Sequence, residues 1–437
     1  MRGKTAFVTG ATGFLGSFLV TFLLNQGYRV VALVRGPRPR ERLTEVLREV
    51  GDGAAAGRAA QIDVVEGDVR HPGLGLSEET QRRLSCLADE VWHCATSFKF
   101  QTRDREEVIA HNVVGAKNLL DFTLRCHSRT RAPFFYVSTA YAAPITGGVG
   151  REECAPAGAQ ARNLYEWSKQ EAERLVAAYH TRYGLPVAIF RPSIVVGHSH
   201  TGKAVRFTGY YDVLRAVALL VRNLEVNLGA QFDRNLRLRV RARPETRLNI
   251  VPVNFVVEAM WQLARADRRG AVIFHITNET PVLVTDLFRY ACEELNVAGI
   301  ELVGEESFQQ RPMTTLERLF DRRTRFQAPY LLDGPCFDTT HFRSAVPRQS
   351  LPCSEIDAAF MRRVNRYYLT ILDRQFEQPV TGPLALAATA PSTAEHAAQG
   401  TAVKSLSERL SAVLPRWGQG PEAGVPVNPF AACVLAS

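Results

Sequence analysis

Three glycines at positions 10, 13 and 16 punctuate the segment Thr9-Gly10-Ala11-Thr12-Gly13-Phe14-Leu15-Gly16. The segment joins a run of strand character, residues 4–9, to a stretch in which Phe14, Leu15, Phe18, Leu19, Phe22 and Leu23 recur at helical spacing. A strand-to-helix turn of this kind suits a dinucleotide. Gly10 permits the tight turn, Gly13 lets backbone N–H groups approach a diphosphate, and Gly16 lets helix and strand pack closely. The helix N-terminus adds its partial positive charge toward the phosphates. Backbone groups at Thr12, Phe14 and Leu15 complete the expected cradle.

The text that follows keeps the same rhythm. Buried-strand patterns at 29–34, 61–65, 90–94 and 134–138 alternate with amphipathic stretches such as 108–124. Later strands are expected at 185–190 and 271–276. This alternation implies an α/β fold, a Rossmann-type doubly wound parallel sheet. The pattern breaks near residue 200. Residues 201–249 are aromatic- and Arg-rich, and 281–376 read as mostly helical. The expected organisation is a cofactor domain of residues 1–200 plus 250–280 and a smaller, mainly helical substrate lobe of residues 201–249 plus 281–376. Residues 377–437, rich in Ala, Thr, Pro, Gly and Ser, read as a disordered tail containing one short amphipathic stretch at 403–414.

Composition narrows the classes. With 46% apolar and 22% charged residues over 437 positions, the chain has ordinary globular content. No stretch has the roughly 18 uncharged apolar residues a membrane span needs, and Met1-Arg2-Gly3-Lys4 leads into a strand rather than an apolar leader. The eight cysteines are scattered without a CxxC pair, so reduced thiols, a cytoplasmic location and no metal site are expected. A net charge of +9 invites nucleic acid, phosphorylated ligands or an acidic partner. No base-stacking or helix-turn-helix module accompanies the charge, which argues against nucleic acid.

The second strand is followed by Arg35, where NAD binders place an acid about 20 residues past the glycines. Arg38, Arg40 and Arg42 come just beyond, and no carboxylate competes. An arginine here can pair with a 2′-phosphate, so NADPH is the expected cofactor. The alternative is a solvated strand end.

Tyr165-Glu166-Trp167-Ser168-Lys169 places a phenol and an amine at i and i+4, on one helix face. An ammonium there can lower the phenol's pKa and reach a nicotinamide ribose, making Tyr165 a usable acid. Only six of the 53 basic residues are lysine, which singles out Lys169. Thr139 stands at the end of the fifth strand, where open α/β sheets bind ligands, and its hydroxyl can donate to a developing oxyanion. Asn112 lies on the long fourth helix, in position to anchor a proton-relay water. Taken singly, Thr139 also reads as a cap and Asn112 as a core residue.

Together the TGxxGxxG turn, Thr139, Tyr165 and Lys169 resemble the extended short-chain dehydrogenase/reductase superfamily. Further strings resemble its fatty acyl-CoA reductase and carrier-protein thioester reductase branch, with the male-sterility-type NAD-binding domain. They are Glu66-Gly67-Asp68-Val69-Arg70, His93-Cys94-Ala95-Thr96, Ser138-Thr139-Ala140-Tyr141, Phe190-Arg191-Pro192-Ser193-Ile194-Val195 and Leu248-Asn249-Ile250-Val251-Pro252-Val253. The resemblance covers roughly residues 4–280 and fades by about 370. It implies that Asp68 and Val69 contact adenine, that Cys94, Ala95 and Thr96 line the cofactor path, and that Pro192 and Ile194 border the nicotinamide. Asn254 departs from the family's usual Asp, and Cys94 replaces a common alanine.

The activity implied is NADPH-dependent reduction of an acyl thioester, acyl-CoA or acyl carrier protein, to an aldehyde, with aldehyde and primary alcohol both open as the final product. Two other readings compete. One is another extended short-chain reductase, a nucleotide-sugar epimerase/dehydratase or hydroxysteroid-type dehydrogenase. The other is a non-catalytic NADP(H) sensor, disfavoured because Thr139, Tyr165 and Lys169 are all present. Arg237, Arg239, Arg241 and Arg243 alternate with apolar residues, so a strand here would carry four guanidinium groups on one face. That face is expected either to dock CoA phosphates or an acidic carrier, or to be simply solvated.

Overall fold

The computed structural model describes residues 3–51, 62–266 and 272–377. Seven strands form one sheet: β1 (Thr5–Thr9), β2 (Arg29–Val34), β3 (Ile62–Glu66), β4 (Glu90–His93), β5 (Phe134–Val137), β6 (Val187–Pro192) and β7 (Ile273–Ile276). Their order is β7-β6-β5-β4-β1-β2-β3, and every neighbouring pair is parallel. Parallel strands need crossovers, and the crossovers cover the faces, which is why β1 and β6 are buried along their whole length. The order reverses between β1 and β4, so a crevice opens beyond the C-terminal ends of these strands.

Aromatic residues fill both layers. Trp92 packs on Phe135 and Phe190, with ring centroids 4.4 and 6.0 Å away, while Phe7 meets Phe122 at 4.8 Å. The covering helices include α1 (Phe14–Asn25), α2 (Pro39–Val50), α3 (Glu78–Ser85), α4 (Gly115–Thr130) and α5 (Leu164–Tyr183). Asn163 caps α5, its Oδ1 accepting from the Glu166 N–H at 3.0 Å.

The helix expected over 108–124 is not continuous. Ile109–Val114 is π-helical, between a short α-helical turn at Arg105–Val108 and α4. The wider turn brings His111 and Asn112 into buried positions, and such insertions mark functional sites more often than chance.

The segments 201–249 and 281–376 contribute α6 (Tyr210–Leu228), α7 (Val284–Leu295) and α8 (Thr315–Thr324). The second segment is less helical than its pattern suggests, because Ala298–Val303 is a strand paired in parallel with Asn235–Arg241. The latter buries Leu236, Leu238 and Val240 and needs that partner to satisfy its backbone.

This pairing corrects the expected arginine face. An irregularity in register falls between Asn235 and Leu238, and Arg237 adopts φ +44°, so the alternation is broken. Arg239 is turned inward at 8% exposure, with Nε and Nη2 on the Glu317 carboxylate at 2.7 and 2.9 Å. Those bonds hold Glu317 down to about 2. Arg241 is bound to Asp321 and lies 3.6 Å from Glu305. Arg237 and Arg243 remain exposed, Arg243 beyond the strand's end.

Residues Met1–Tyr368 belong to one compact unit. Of the second unit, Leu369–Pro426, residues 369–377 are described, as the end of the helix Ala358–Glu377. The remaining tail and the stretch 403–414 lie outside the described residues.

Candidate active site

The glycine turn takes the form its sequence requires. Gly10 has φ +73°, and a Cβ there would stand 2.5 Å from the Ala95 nitrogen. A Cβ on Gly16 would stand 2.1 Å from the Gly10 oxygen. Neither position accepts a side chain. No side chain caps α1 and its first turn holds no acid, so its leading N–H groups face the crevice uncompensated.

A single cavity of about 690 Å³ runs from this turn across the sheet edge and between the helices beyond it. At one end lie Leu33, Val34, Arg35, Arg42, Asp68 and Val69. Arg35 and His111 are joined through Nη1 and Nε2 at 2.9 Å, and Arg42 Nη1 donates to the Arg35 carbonyl at 2.6 Å. His111, on the same wall, is pushed toward its neutral form by burial and by Arg35 and Arg70. It thus offers a lone pair that orients the guanidinium. Sequence reasoning missed this partner, because the π-helical turn that presents it has no simple sequence signature.

Thr139, Tyr165 and Lys169 share the middle of the cavity with Cys94, Ala95, Thr96, Pro192 and Ile194. Thr139 Oγ1 accepts from the Tyr141 N–H at 3.3 Å, which leaves its own O–H to donate. Lys169 Nζ donates to the Val137 carbonyl at 2.8 Å and the Tyr136 hydroxyl at 3.2 Å. Burial lowers its pKa to about 7, against the partial opposition of the Glu173 carboxylate. Glu173, one turn further along α5, is itself paired with the fully buried Arg191 at 2.5 and 2.8 Å.

Tyr165 differs from its expected electrostatics. Burial, together with Glu166 and Glu173, raises its pKa well above the ordinary phenol value. Lys169 does not lower it. Its Nζ lies 6.0 Å from the Tyr165 ring centre and points its N–H groups at Val137 and Tyr136 instead. The phenol is therefore held protonated, the state a proton donor needs.

Asn112 is not on the cavity wall. Its Oδ1 accepts from the Ser97 N–H and Thr96 hydroxyl, and its Nδ2 donates to the Ser97 carbonyl and Ser168 Oγ, at 2.7–3.1 Å. All four side-chain positions are filled, so a relay water would have to be held by some group other than this side chain. Asn112 instead ties the 94–97 loop to the helix carrying Tyr165. Cys94 is pushed up to about 12 by burial, which keeps it a thiol.

Two features escaped the sequence reading. Ser138 Oγ is buried on the cavity wall with no hydrogen-bond partner among the described residues. Phe98, half exposed, stacks on Tyr165 at 4.9 Å, while Phe100 bridges Tyr165 and Phe326. Beyond these rings the wall is apolar, formed by Val213, Leu214, Val217, Leu287, Phe288 and Leu331 among others. Among the described residues no cluster of His, Cys, Asp or Glu is arranged to hold a metal ion, and no helix is long and apolar enough to cross a membrane.

Comparison with known proteins gives three kinds of match. The family model described as male sterility protein, an NAD-binding domain, matches residues 8–260. Glycine betaine reductase ATRR of Emericella nidulans is 27% identical over 313 residues, covering 68% of this chain and 22% of that protein. Fatty acyl-CoA reductase 1 of Xenopus laevis is 32% identical over 151 residues, covering 32% of this chain and 29% of that one. The chain thus spans about a quarter of the length of these curated relatives. Among solved structures, the terminal R domain from the myxalamid PKS-NRPS biosynthetic pathway is similar with a TM-score of 0.66 and 25% identity. That match covers 86% of this chain and 92% of that one.

Proposed function

The chain belongs to the male sterility protein family of NAD-binding domains, and from that premise we propose that it is an oxidoreductase that uses NADPH to reduce an acyl thioester to an aldehyde and onward to a primary alcohol. The observation that carries this reading is the continuity of one cavity. It leads from the glycine turn, past Thr139, Tyr165 and Lys169, into an apolar limb lined by Val213, Leu214 and Val217.

The residues present fit a dinucleotide. The glycine turn is packed so closely on backbone at Gly10 and Gly16 that no side chain stands between it and the cavity, and α1 has no side-chain cap. Arg35 and Arg42, with no acid at the end of β2, favour the 2′-phosphate of NADPH. The bound cofactor supplies the hydride. We assign its binding to residues 1–200 plus 250–280, through Gly10, Thr12, Gly13, Phe14, Leu15, Gly16, Asp68, Val69, Cys94, Ala95, Thr96, Pro192 and Ile194. The acyl group falls to residues 201–249 plus 281–376.

In this reading the Thr139 hydroxyl and the Tyr165 phenol donate to the thioester oxygen as charge develops on it. Tyr165, kept protonated by burial, gives up its proton as the oxyanion is neutralised. Lys169 holds the ribose side of the site, its ammonium fixed by Val137 and Tyr136. Breaking the C–S bond then releases a thiol and an aldehyde. Cys94, half-buried and held as a thiol, takes no part as a nucleophile. Phe98 and Phe100 shield Tyr165 from bulk water.

The apolar limb favours a hydrocarbon acyl group over one bearing charge, because a buried charge there would find no partner. Of the four arginines first considered for carrier docking, Arg237 and Arg243 retain exposed guanidinium groups for that role. The testing experiment is NADPH oxidation against a panel of acyl-CoAs and acyl carrier proteins, with aldehyde and alcohol resolved. No oxidation with any thioester, alongside turnover of a nucleotide sugar, would replace this reading with the epimerase one.

A further inference from the structure

A strap of chain, residues 202–209, connects the region after the strand Ile194–Val196 to α6. It is pinned along its length. Gly202 has φ +70° and is pressed so closely on Arg363 that a Cβ would stand 2.5 Å from that residue's oxygen. Lys203 Nζ donates to the Gly51 carbonyl at 2.9 Å. Val205 is buried in the main core, and Phe207 packs on Tyr211 and Tyr368 at 5.1 and 4.7 Å.

Between buried Val205 and half-buried Phe207, Arg206 is exposed and adopts φ +60°, a left-handed conformation uncommon for a side chain of this kind. Such an outlier persists only where the surroundings over-determine it, and it points to function when it aims a chemical group. Here it aims one. Arg206 Nε donates to the Thr12 carbonyl at 3.2 Å, inside the glycine turn, and the residue lines the cavity beside Gly13. The two Nη groups make no hydrogen bond among the described residues.

Charge along the cavity sharpens the assignment. Arg35 and Arg42 stand at the end formed by β2, and Lys169 stands in the middle near Thr139. Between them the glycine turn offers backbone N–H groups and a helix terminus, but a diphosphate carries two full negative charges. Arg206 is the described cation on the cavity wall that is bonded to the turn itself.

We propose that Arg206 clamps the diphosphate of the bound dinucleotide from the strap, alongside the glycine turn whose Thr12 carbonyl it already holds. The inference rests on the dinucleotide reading above and adds to it a side chain supplied from outside the sheet domain. Because the strap runs directly into α6, whose residues line the apolar limb, cofactor binding also fixes one wall of the acyl site.

The test is fluorescence titration of the full chain with NADPH and with NADH, for wild type, Arg206→Ala, Arg206→Gly and Arg35→Ala. Charge-assisted hydrogen bonds to phosphate imply a loss of about tenfold or more in affinity for Arg206→Ala. The loss should be the same factor for NADPH and NADH, because both carry the diphosphate. Arg206→Gly removes the guanidinium while accepting the left-handed backbone, and should show the same loss. Arg35→Ala should weaken NADPH alone. Wild-type affinity in both Arg206 variants overturns the clamp. So does a loss confined to NADPH, which would place Arg206 on the 2′-phosphate, or a loss in the alanine variant that glycine restores, which would make it a backbone effect. Failure of the wild type to bind either dinucleotide overturns the cofactor reading itself.

Discussion

Tyr330 donates its phenolic proton to Glu166 Oε1 at 2.6 Å, so a residue far along the chain grips the position next to Tyr165. The same hydroxyl accepts from Asn163 Nδ2 at 2.7 Å, at the cap of α5. Tyr330 stands edge-on to Tyr141 at 4.9 Å, with the Arg162 guanidinium against both rings. Burial raises the Glu166 pKa against the pull of the Tyr330 hydroxyl and Arg162. The first turn of the helix that carries Tyr165 is thus held from a segment that also lines the cavity through Tyr330 and Leu331.

Tyr330→Phe keeps the ring and removes the donor. It should cost about 1–3 kcal/mol, the usual consequence of leaving a buried acceptor without its hydrogen bond. Thermal melting should fall, kcat should drop, and NADPH affinity should stay unchanged. Dissociation constants measured beside steady-state kinetics check this split.

Arg35 and Arg42 line the end of the cavity next to Leu33 and Val34 of β2. Arg35→Ala should cut the preference for NADPH over NADH by about tenfold or more, through loss of a charge-assisted contact with the 2′-phosphate. Comparing kcat/KM for the two cofactors measures it.

Lys169 has a pKa of about 7 in the folded protein against an ordinary 10.5. Between those values the unfolded chain carries the extra proton, so this residue's contribution to stability rises with pH across that window. Cofactor binding should run the other way. If the ammonium donates to the ribose, NADPH affinity falls as pH rises above 7, and Lys169→Arg abolishes the pH dependence. Titrations from pH 6 to pH 9 give the answer.

Arg239 is bound to Glu317 rather than presented to a partner. Arg239→Ala should therefore lower the melting temperature and depress activity toward thioester and free aldehyde in parallel. Arg237→Glu should leave melting unchanged, because Arg237 is exposed. A selective rise in KM for a carrier-bound thioester would assign Arg237 to docking.

The sheet was legible because its signals are local. Most of the seven strands centre on a short apolar run, and the glycine turn is fixed by two close approaches, at Gly10 and Gly16, that exclude any side chain. Thr139, Tyr165 and Lys169 could be placed because strand ends and i, i+4 helix faces follow from spacing alone. The fate of Asn112 could not, since its four hydrogen bonds depend on a π-helical turn and on Ser168 of a distant helix. Likewise the arginine alternation at 237–243 was read without Glu317 and Asp321, acids some 80 residues away that neutralise its inner members. Arg206 escaped notice because its role depends on backbone conformation and on contact with Thr12.

Tyr165→Phe removes one hydroxyl and leaves the stacking with Phe98 in place. The decisive measurement is single-turnover oxidation of NADPH by wild type and Tyr165→Phe with a hydrocarbon acyl thioester, following aldehyde and alcohol formation. The expected result is aldehyde and alcohol together accounting for the NADPH lost in the wild type, and a fall of about 100-fold or more in the variant with NADPH affinity retained. Equal rates in the two proteins, or NADPH bound but never oxidised by any thioester, would contradict it.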